Sequence, residues 1–217
     1  MRYQLGIVGV AFGPGVGVQE AAQRAADLGF DHLDSSAPAI DALDATELDS
    51  LAVPIGDRIS GFEVVEGCTS MAPFERRGED RFDETVELFR NHPGARLEPG
   101  PRSAAAGNAK VEALVAAVPG LRLTLDTGHV ATWGGDPVPL LRHADHVQLR
   151  QAAEGRPQLH TDEGGDVDFA AVLAELDRLD YPGLISIEYF NLPDYGWPLD
   201  DPVGYSVALA AHVRALR

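Results

Sequence analysis

The chain has 217 residues, 45% of them hydrophobic and 24% charged, which is the balance of a globular chain able to bury a core and excludes wholesale disorder. Seventeen Lys and Arg stand against 34 Asp and Glu, a formal net charge of −17. That sign argues against a partner made of nucleic acid and against an anionic membrane surface, both of which need clustered cations. The single cysteine, Cys68, rules out an intrachain disulfide framework and a cysteine-rich zinc site, and it fits a cytoplasmic protein.

Taken in chain order, the apolar run from Leu5 to Val10 reads as a first strand. It is too short to span a membrane, and Gly13-Pro14-Gly15 breaks the chain's apolar character just beyond it. Residues 19–28 read as a helix, with Ala22, Ala25 and Ala26 at helical spacing and Gly29 as its stop. Residues 31–34 give a second strand. The stretch from Ile40 to Arg77 carries the weakest signals, but the length between Leu33 and Glu98 leaves room for two strands, placed around 52–55 and 59–65. Phe82, Val86 and Phe89 then mark a helix ended by Pro93-Gly94, followed by a strand at 95–98. Val111, Leu114, Val115 and Val118 mark another before Pro119-Gly120, followed by a strand at 121–126. A seventh strand falls at 146–150. Phe169, Val172, Leu173 and Leu176 precede Pro182-Gly183 and a strand at 184–188, and a last helix fills 202–217.

Alternating strands and helices imply a parallel sheet covered by helices. Eight units in 217 residues average about 27 residues each, which suits a lean (β/α)8 TIM barrel forming one domain over 1–217. Its first half is shortened or irregular. An open doubly wound sheet is the alternative.

The late strands carry polar residues in one register. Glu98 follows Leu97, Thr124 and Asp126 alternate with Leu123 and Leu125, His146, Gln148 and Arg150 alternate with Val147 and Leu149, and Ser186 and Glu188 alternate with Ile185 and Ile187. Period-two alternation sends the aliphatics outward onto helices and the polar groups inward, and the last of them fall at the C-terminal strand ends where barrel active sites are built. Three carboxylates and an amide gathered there need a counter-charge. Arg96, Arg150 or Arg156 is a candidate, and so is a divalent cation: four oxygen ligands, Glu98, Asp126, Gln148 and Glu188, suit a hard ion such as Mg²⁺ or Mn²⁺. Four separate helix caps or loop hydrogen bonds fit the same pattern.

At these residues the sequence resembles the xylose isomerase-like superfamily of sugar isomerases and epimerases. Leu125-Asp-Thr-Gly-His129 is similar to that family's strand ending in Asp with His three residues later. Gly183-Leu-Ile-Ser-Ile-Glu188 resembles its final strand, Glu98 in Leu-Glu-Pro its earlier metal-binding Glu, and Gly164-Gly-Asp-Val-Asp168-Phe its Gly-rich entry to the last helix. The likeness runs from about Arg96 to the end and more faintly over residues 1–35. One departure is informative: most members carry His-x-His on the seventh strand, and here the run is His146-Val147-Gln148. The hydroxypyruvate isomerase branch, with the related 2-oxo-tetronate isomerases, is similar in having Gln there. Its loop with Gly-Arg and a later Gly-Glu has counterparts in Gly155-Arg156 and Gly165-Asp166, and its Glu-Tyr ending in Glu188-Tyr189.

The resemblance implies a cytoplasmic, divalent-metal-dependent isomerase or epimerase of a small sugar or hydroxy-keto acid. Proton transfer would pass through an enediolate, with Mn²⁺ or Mg²⁺, or else Co²⁺ or Zn²⁺, as the ion. Glu98 and Glu188 would be the acid and base and also metal ligands, Asp126 and Gln148 would complete the metal site, and His129, Arg156 and His146 would contact substrate. It also implies a small carbohydrate substrate, no nucleic-acid or membrane partner, and a homo-oligomer as one arrangement. A dehydratase or other lyase of the same superfamily begins with the same proton abstraction, and a non-catalytic barrel that binds a sugar or a partner is a further alternative. His32 and Asp34 end the second strand and are candidates for the pocket wall. Trp133 and Trp197 could roof a sugar or pack in the core. His160 in its polar loop reads as solvent-facing, and Glu63, Glu66 and Cys68 suggest no role.

Overall fold

Eight parallel strands pair in chain order and close on themselves, the last returning to the first. The computed structural model describes residues 3–60, 67–71 and 81–216. The strands are β1 (Leu5–Val8), β2 (Leu33–Ser36), β3 (Ile55–Ile59), β4 (Thr69–Met71), β5 (Arg96–Glu98), β6 (Arg122–Asp126), β7 (Ala144–Leu149) and β8 (Leu184–Ile187). The helices are α1 (Val18–Asp27), α2 (Ala37–Asp41), α3 (Ala45–Asp49), α4 (Phe82–Arg90), α5 (Asn108–Ala117), α6 (Thr127–Thr132), α7 (Phe169–Arg178) and α8 (Pro202–Ala215). None among the described residues is long and apolar enough to cross a membrane.

The helices form where the apolar spacing places them. Val18, Ala21, Ala22 and Ala25 bury one stripe of α1, and Gly29, at φ +78°, lets the chain turn away. Phe169, Val172, Leu173 and Leu176 do the same for α7, whose start is capped by Asp168 accepting from the Ala171 N–H at 3.0 Å. Leu97, Leu123, Leu125, Val147, Leu149, Ile185 and Ile187 join these stripes in one core outside the barrel wall.

The first half departs from expectation. The third strand lies at Ile55–Ile59 rather than 52–55, and the fourth at Thr69–Met71 rather than 59–65; residues 61–66 lie outside the described residues. The reason is physical. Pro54 has no N–H to give a ladder, and it contributes only its carbonyl, which accepts from Leu33 N–H at 3.0 Å. The strand proper then runs through Gly56, which has no side chain, and through Asp57 and Arg58, whose polar side chains are paired elsewhere in the fold, so the period is masked.

Those pairings fill part of the barrel with a polar network in place of the usual branched aliphatics. Asp34 accepts from Asp57 N–H at 2.9 Å and pairs with His146 Nε2 at 2.7 Å. Asp57 is ion-paired to Arg96 and accepts from Thr69 Oγ1 at 3.0 Å, and Thr69 and Thr124 share a hydrogen bond of 2.5 Å. Burial would raise the Asp34 carboxyl, but the adjoining His146 and His32 rings hold it far below the ordinary carboxylate range. Burial likewise disfavours the His146 imidazolium, and the Asp34 charge overrides it and raises its pKa. His32 Nδ1 lies 3.2 Å from Asp34. Its ring occupies space left by two glycines: a Cβ at Gly6 would lie 2.1 Å from His32 Cε1, and one at Gly56 2.0 Å from His32 Nδ1.

Candidate active site

The C-terminal strand ends carry a second polar group. Glu98 ends β5 and Asp126 ends β6; Gln148 pairs in register with Asp126 on β7; Glu188 follows β8, its N–H donating to Leu149 C=O at 3.1 Å. All four are buried. Asp126 also begins α6, where its Oδ1 accepts from Gly128 N–H at 2.7 Å and from His129 N–H at 3.3 Å. That turn swings the His129 ring back over the strand ends. His129 Nε2 lies 3.4 Å from Asp126 Oδ2, and Nδ1 lies 3.7 Å from Glu98 Oε1. Ligand atoms of Glu98, Asp126 and His129 all fall within 4.8 Å of one another.

One guanidinium answers these carboxylates. Arg150 is fully buried and ion-paired to Asp126 Oδ2. It reaches that place because residue 128 is glycine: a Cβ there would lie 2.5 Å from Arg150 Nε. Its other face stacks on Phe190, 4.8 Å from the ring centre, and on Trp197 at 5.6 Å. Trp197 also lies against His129, ring centres 5.3 Å apart.

The charges do not balance. Burial, and then the Asp126 charge, push the Glu98 carboxyl up to about 8. Burial followed by Glu98 and Asp126 raises Glu188 well above its ordinary value, and its carboxyl is within hydrogen-bonding reach of Asp126. Burial would raise Asp126 as well, but Arg150 holds it below the ordinary value. Burial lowers His129 to about 4, so its imidazole is neutral near pH 7. Among the described residues, Gln148 Oε1 and Nε2, Glu188 Oε2 and both His129 ring nitrogens have no hydrogen-bond partner. A buried group left so exposed to desolvation asks for a ligand. The donor set of carboxylate and amide oxygens plus one imidazole could hold a divalent cation: Glu98, Asp126 and His129 come close enough together, with Gln148 and Glu188 beside them.

The expected residues divide. Glu98, Asp126, Glu188 and His129 come together, with Gln148 beside them. His146 sits in the Asp34 network instead. Arg156 is exposed, in a tight turn with Ala153, and the guanidinium at the cluster is Arg150. Trp197 covers the site, whereas Trp133 donates to Asn108 Oδ1 at 3.0 Å away from it. His160 pairs with Asp162 at 2.6 Å near the surface, and Cys68 is buried. Glu63 and Glu66 lie outside the described residues. A cavity of about 430 Å³ opens beside the cluster, reached by Glu98, His129 and Glu188 from one side and by Asp34 below. Phe190 and Leu192 in its wall escape sequence reasoning; their only signal is their place just after the Glu188 strand end.

Residues 18–212 match the family model described as xylose isomerase-like TIM barrel. No curated protein matches in sequence. Among solved structures, D-allulose 3-epimerase from Methylomonas sp. superposes with a TM-score of 0.70 at 16% identity, covering 100% of this chain and 98% of that one. The probable 3-DHS dehydratase of petrobactin synthesis from Bacillus anthracis gives 0.67 at 16%, covering 100% and 98%. A xylose isomerase-like TIM barrel/4-hydroxyphenylpyruvate dioxygenase fusion protein gives 0.66 at 17%, covering 88% of this chain and 39% of that longer one. At such identities the likeness is one of fold.

Proposed function

We propose that this chain, which belongs to the xylose isomerase-like TIM barrel family, is a divalent-metal-dependent isomerase or epimerase of a small sugar or hydroxy-keto compound. The observation that carries this reading is the under-neutralised cluster of Glu98, Asp126 and Glu188, buried at the strand ends with one guanidinium and several orphaned polar atoms. A cation held by Glu98, Asp126, Gln148 and Glu188 would supply positive charge beside two neighbouring substrate oxygens, where an enediolate builds up negative charge.

The rest of the chemistry belongs to the chain. Glu98 and Glu188 face the cavity as carboxyl groups whose proton affinity is raised toward neutrality, which suits one to take the proton next to a carbonyl and the other to return it. His129, neutral and held by the α6 turn, offers a ring nitrogen to a substrate oxygen. Arg150 keeps Asp126 ionised and fixed. Phe190 and Trp197 shield the cluster from water.

The test is hydrogen exchange. With Mg²⁺ or Mn²⁺ bound, deuterium from solvent should enter the carbon next to the carbonyl of a short ketose or hydroxypyruvate, and Glu188→Gln should slow this by roughly a hundredfold or more while the protein stays folded. Undiminished exchange in Glu188→Gln sinks the assigned role. A product lighter by one water indicates a dehydratase, the activity named for one of the fold neighbours. Metal binding with no exchange in any candidate indicates a non-catalytic barrel.

A further inference from the structure

The two walls of the cavity differ in chemistry. The wall from β5, β6 and β8 carries Glu98, His129 and Glu188. The opposite wall comes from the end of β1, the turn into α1, and the ends of β2 and β3. Its side chains are Val8, Val10, Val16, Val18, Ala39 and Ile59, with Ser35 and Ser36 at its edge. Asp34, on the floor, is already committed to His146 and to the Asp57 N–H. Among the described residues, no Lys or Arg lines the cavity. Arg150 is sealed behind the Phe190 ring, and Arg156 is exposed outside the cavity.

A polyhydroxylated chain lying across this cavity would press hydroxyl groups against valines, each losing water with only the Ser35 and Ser36 hydroxyls at the edge to answer. A carboxylate or phosphate at the far end would meet no cation among the described residues, only the Ser35 and Ser36 hydroxyls at the edge. An apolar substituent there would gain what the hydroxyls lose. Resting on the isomerase reading and narrowing it, we propose that the substrate is an uncharged α-hydroxy carbonyl compound with an apolar arm, alkyl or aryl: the two oxygens face Glu98, His129 and Glu188, and the arm lies along Val8, Val16 and Ile59. The step is a 1,2-proton shift that needs no co-reactant: a proton leaves the hydroxyl-bearing carbon, its electron pair forms the enediol double bond as the carbonyl oxygen takes up a proton, and a proton then returns to the former carbonyl carbon while the original hydroxyl gives up its own and becomes the new carbonyl.

The experiment measures binding and solvent-deuterium uptake by the Mg²⁺-loaded full chain with four probes: hydroxyacetone, 2-hydroxyacetophenone, D-fructose and hydroxypyruvate. Replacing a methyl by a phenyl in an apolar wall should tighten binding roughly tenfold to a hundredfold, so 2-hydroxyacetophenone should lead the series. Val16→Asn, at a partly exposed turn position, should shrink the ratio between 2-hydroxyacetophenone and hydroxyacetone several-fold. An unchanged ratio in Val16→Asn, or equal affinities in the parent protein, overturns the proposal. Tighter binding of hydroxypyruvate or D-fructose also overturns it, and exchange into either would leave the isomerase reading standing. Binding of 2-hydroxyacetophenone without exchange into any probe would support the apolar arm and count against isomerisation. No binding of any probe defeats both.

Discussion

The barrel interior holds two buried polar groups, and they are built to different standards. In the Asp34–Asp57 group, two carboxylates face Arg96 and a His146 whose charge Asp34 favours, Thr69 and Thr124 add hydrogen bonds, and the two ring nitrogens of His32 are left over. In the Glu98–Asp126–Glu188 group, three carboxylates face one Arg150, and polar atoms of Gln148, Glu188 and His129 are left over. Both groups bring three potential ligand atoms within 4.8 Å of one another. Closeness of ligands therefore does not tell a metal site from a structural network. Charge balance does: a neutralised set of partners ties strands together, while an under-neutralised one costs stability and is retained only if something else supplies the missing charge.

Five outcomes would break or sharpen that contrast. Removing Arg96 from the neutralised group by Arg96→Met should cost about 3–5 kcal/mol in chemical denaturation, with no recovery on adding Mg²⁺ or Mn²⁺. Asp34→Asn belongs to the same class, and its penalty carries a pH signature. The folded carboxyl of Asp34 is held below its unfolded value of 3.8, so its contribution is present above that pH and fades as the pH falls through the lower folded value. Arg150→Met should destabilise the chelator-treated protein by a comparable amount, but saturating divalent metal should recover much of the loss, since ligand at 100 times Kd adds about 2.7 kcal/mol. Equal rescue of Arg96→Met and Arg150→Met would erase the distinction. Glu188→Gln should raise, not lower, the melting temperature of metal-free protein near pH 8: the folded state disfavours the Glu188 carboxylate, a cost that grows as the pH rises above its ordinary value of 4.5 and that a neutral amide does not carry. Arg156→Ala, at an exposed turn, should move stability by no more than about 0.5 kcal/mol.

The second half of the barrel was legible because each strand follows a Gly or Pro-Gly stop or ends in an aliphatic alternation; β5 to β8 fall within two residues of where those signals put them. The first half hid itself. β3 reads Ile-Gly-Asp-Arg-Ile, and β4 is three residues long. A capping box of Asp44 and Glu47, with both of its bonds at 2.9 Å, starts α3, yet that helix is only one turn and a half and buries none of its residues, so no apolar stripe announces it. The site carboxylates could be read from their positions at strand ends. Which arginine serves them could not, because Arg96, Arg150 and Arg156 look alike locally. Their fates, with Asp57, with Asp126 and in an exposed turn, are set by strand neighbours far along the chain. Asp34 and His146 are likewise 112 residues apart, with no local pattern joining them.

The imidazole of His32 fills a space that the glycines at 6 and 56 leave open. Three strands thus share one side chain, and their sequences are not independent. A methyl group restored at either glycine collides with the ring, so stepwise change through Gly6→Ala or Gly56→Ala first passes through a damaged intermediate. The passable order starts with the ring: His32→Ala opens the hole, and a larger residue at 6 or 56 then fills it. Residues 6, 32 and 56 are therefore coupled, and a change at 32 has to come before a larger residue at either glycine.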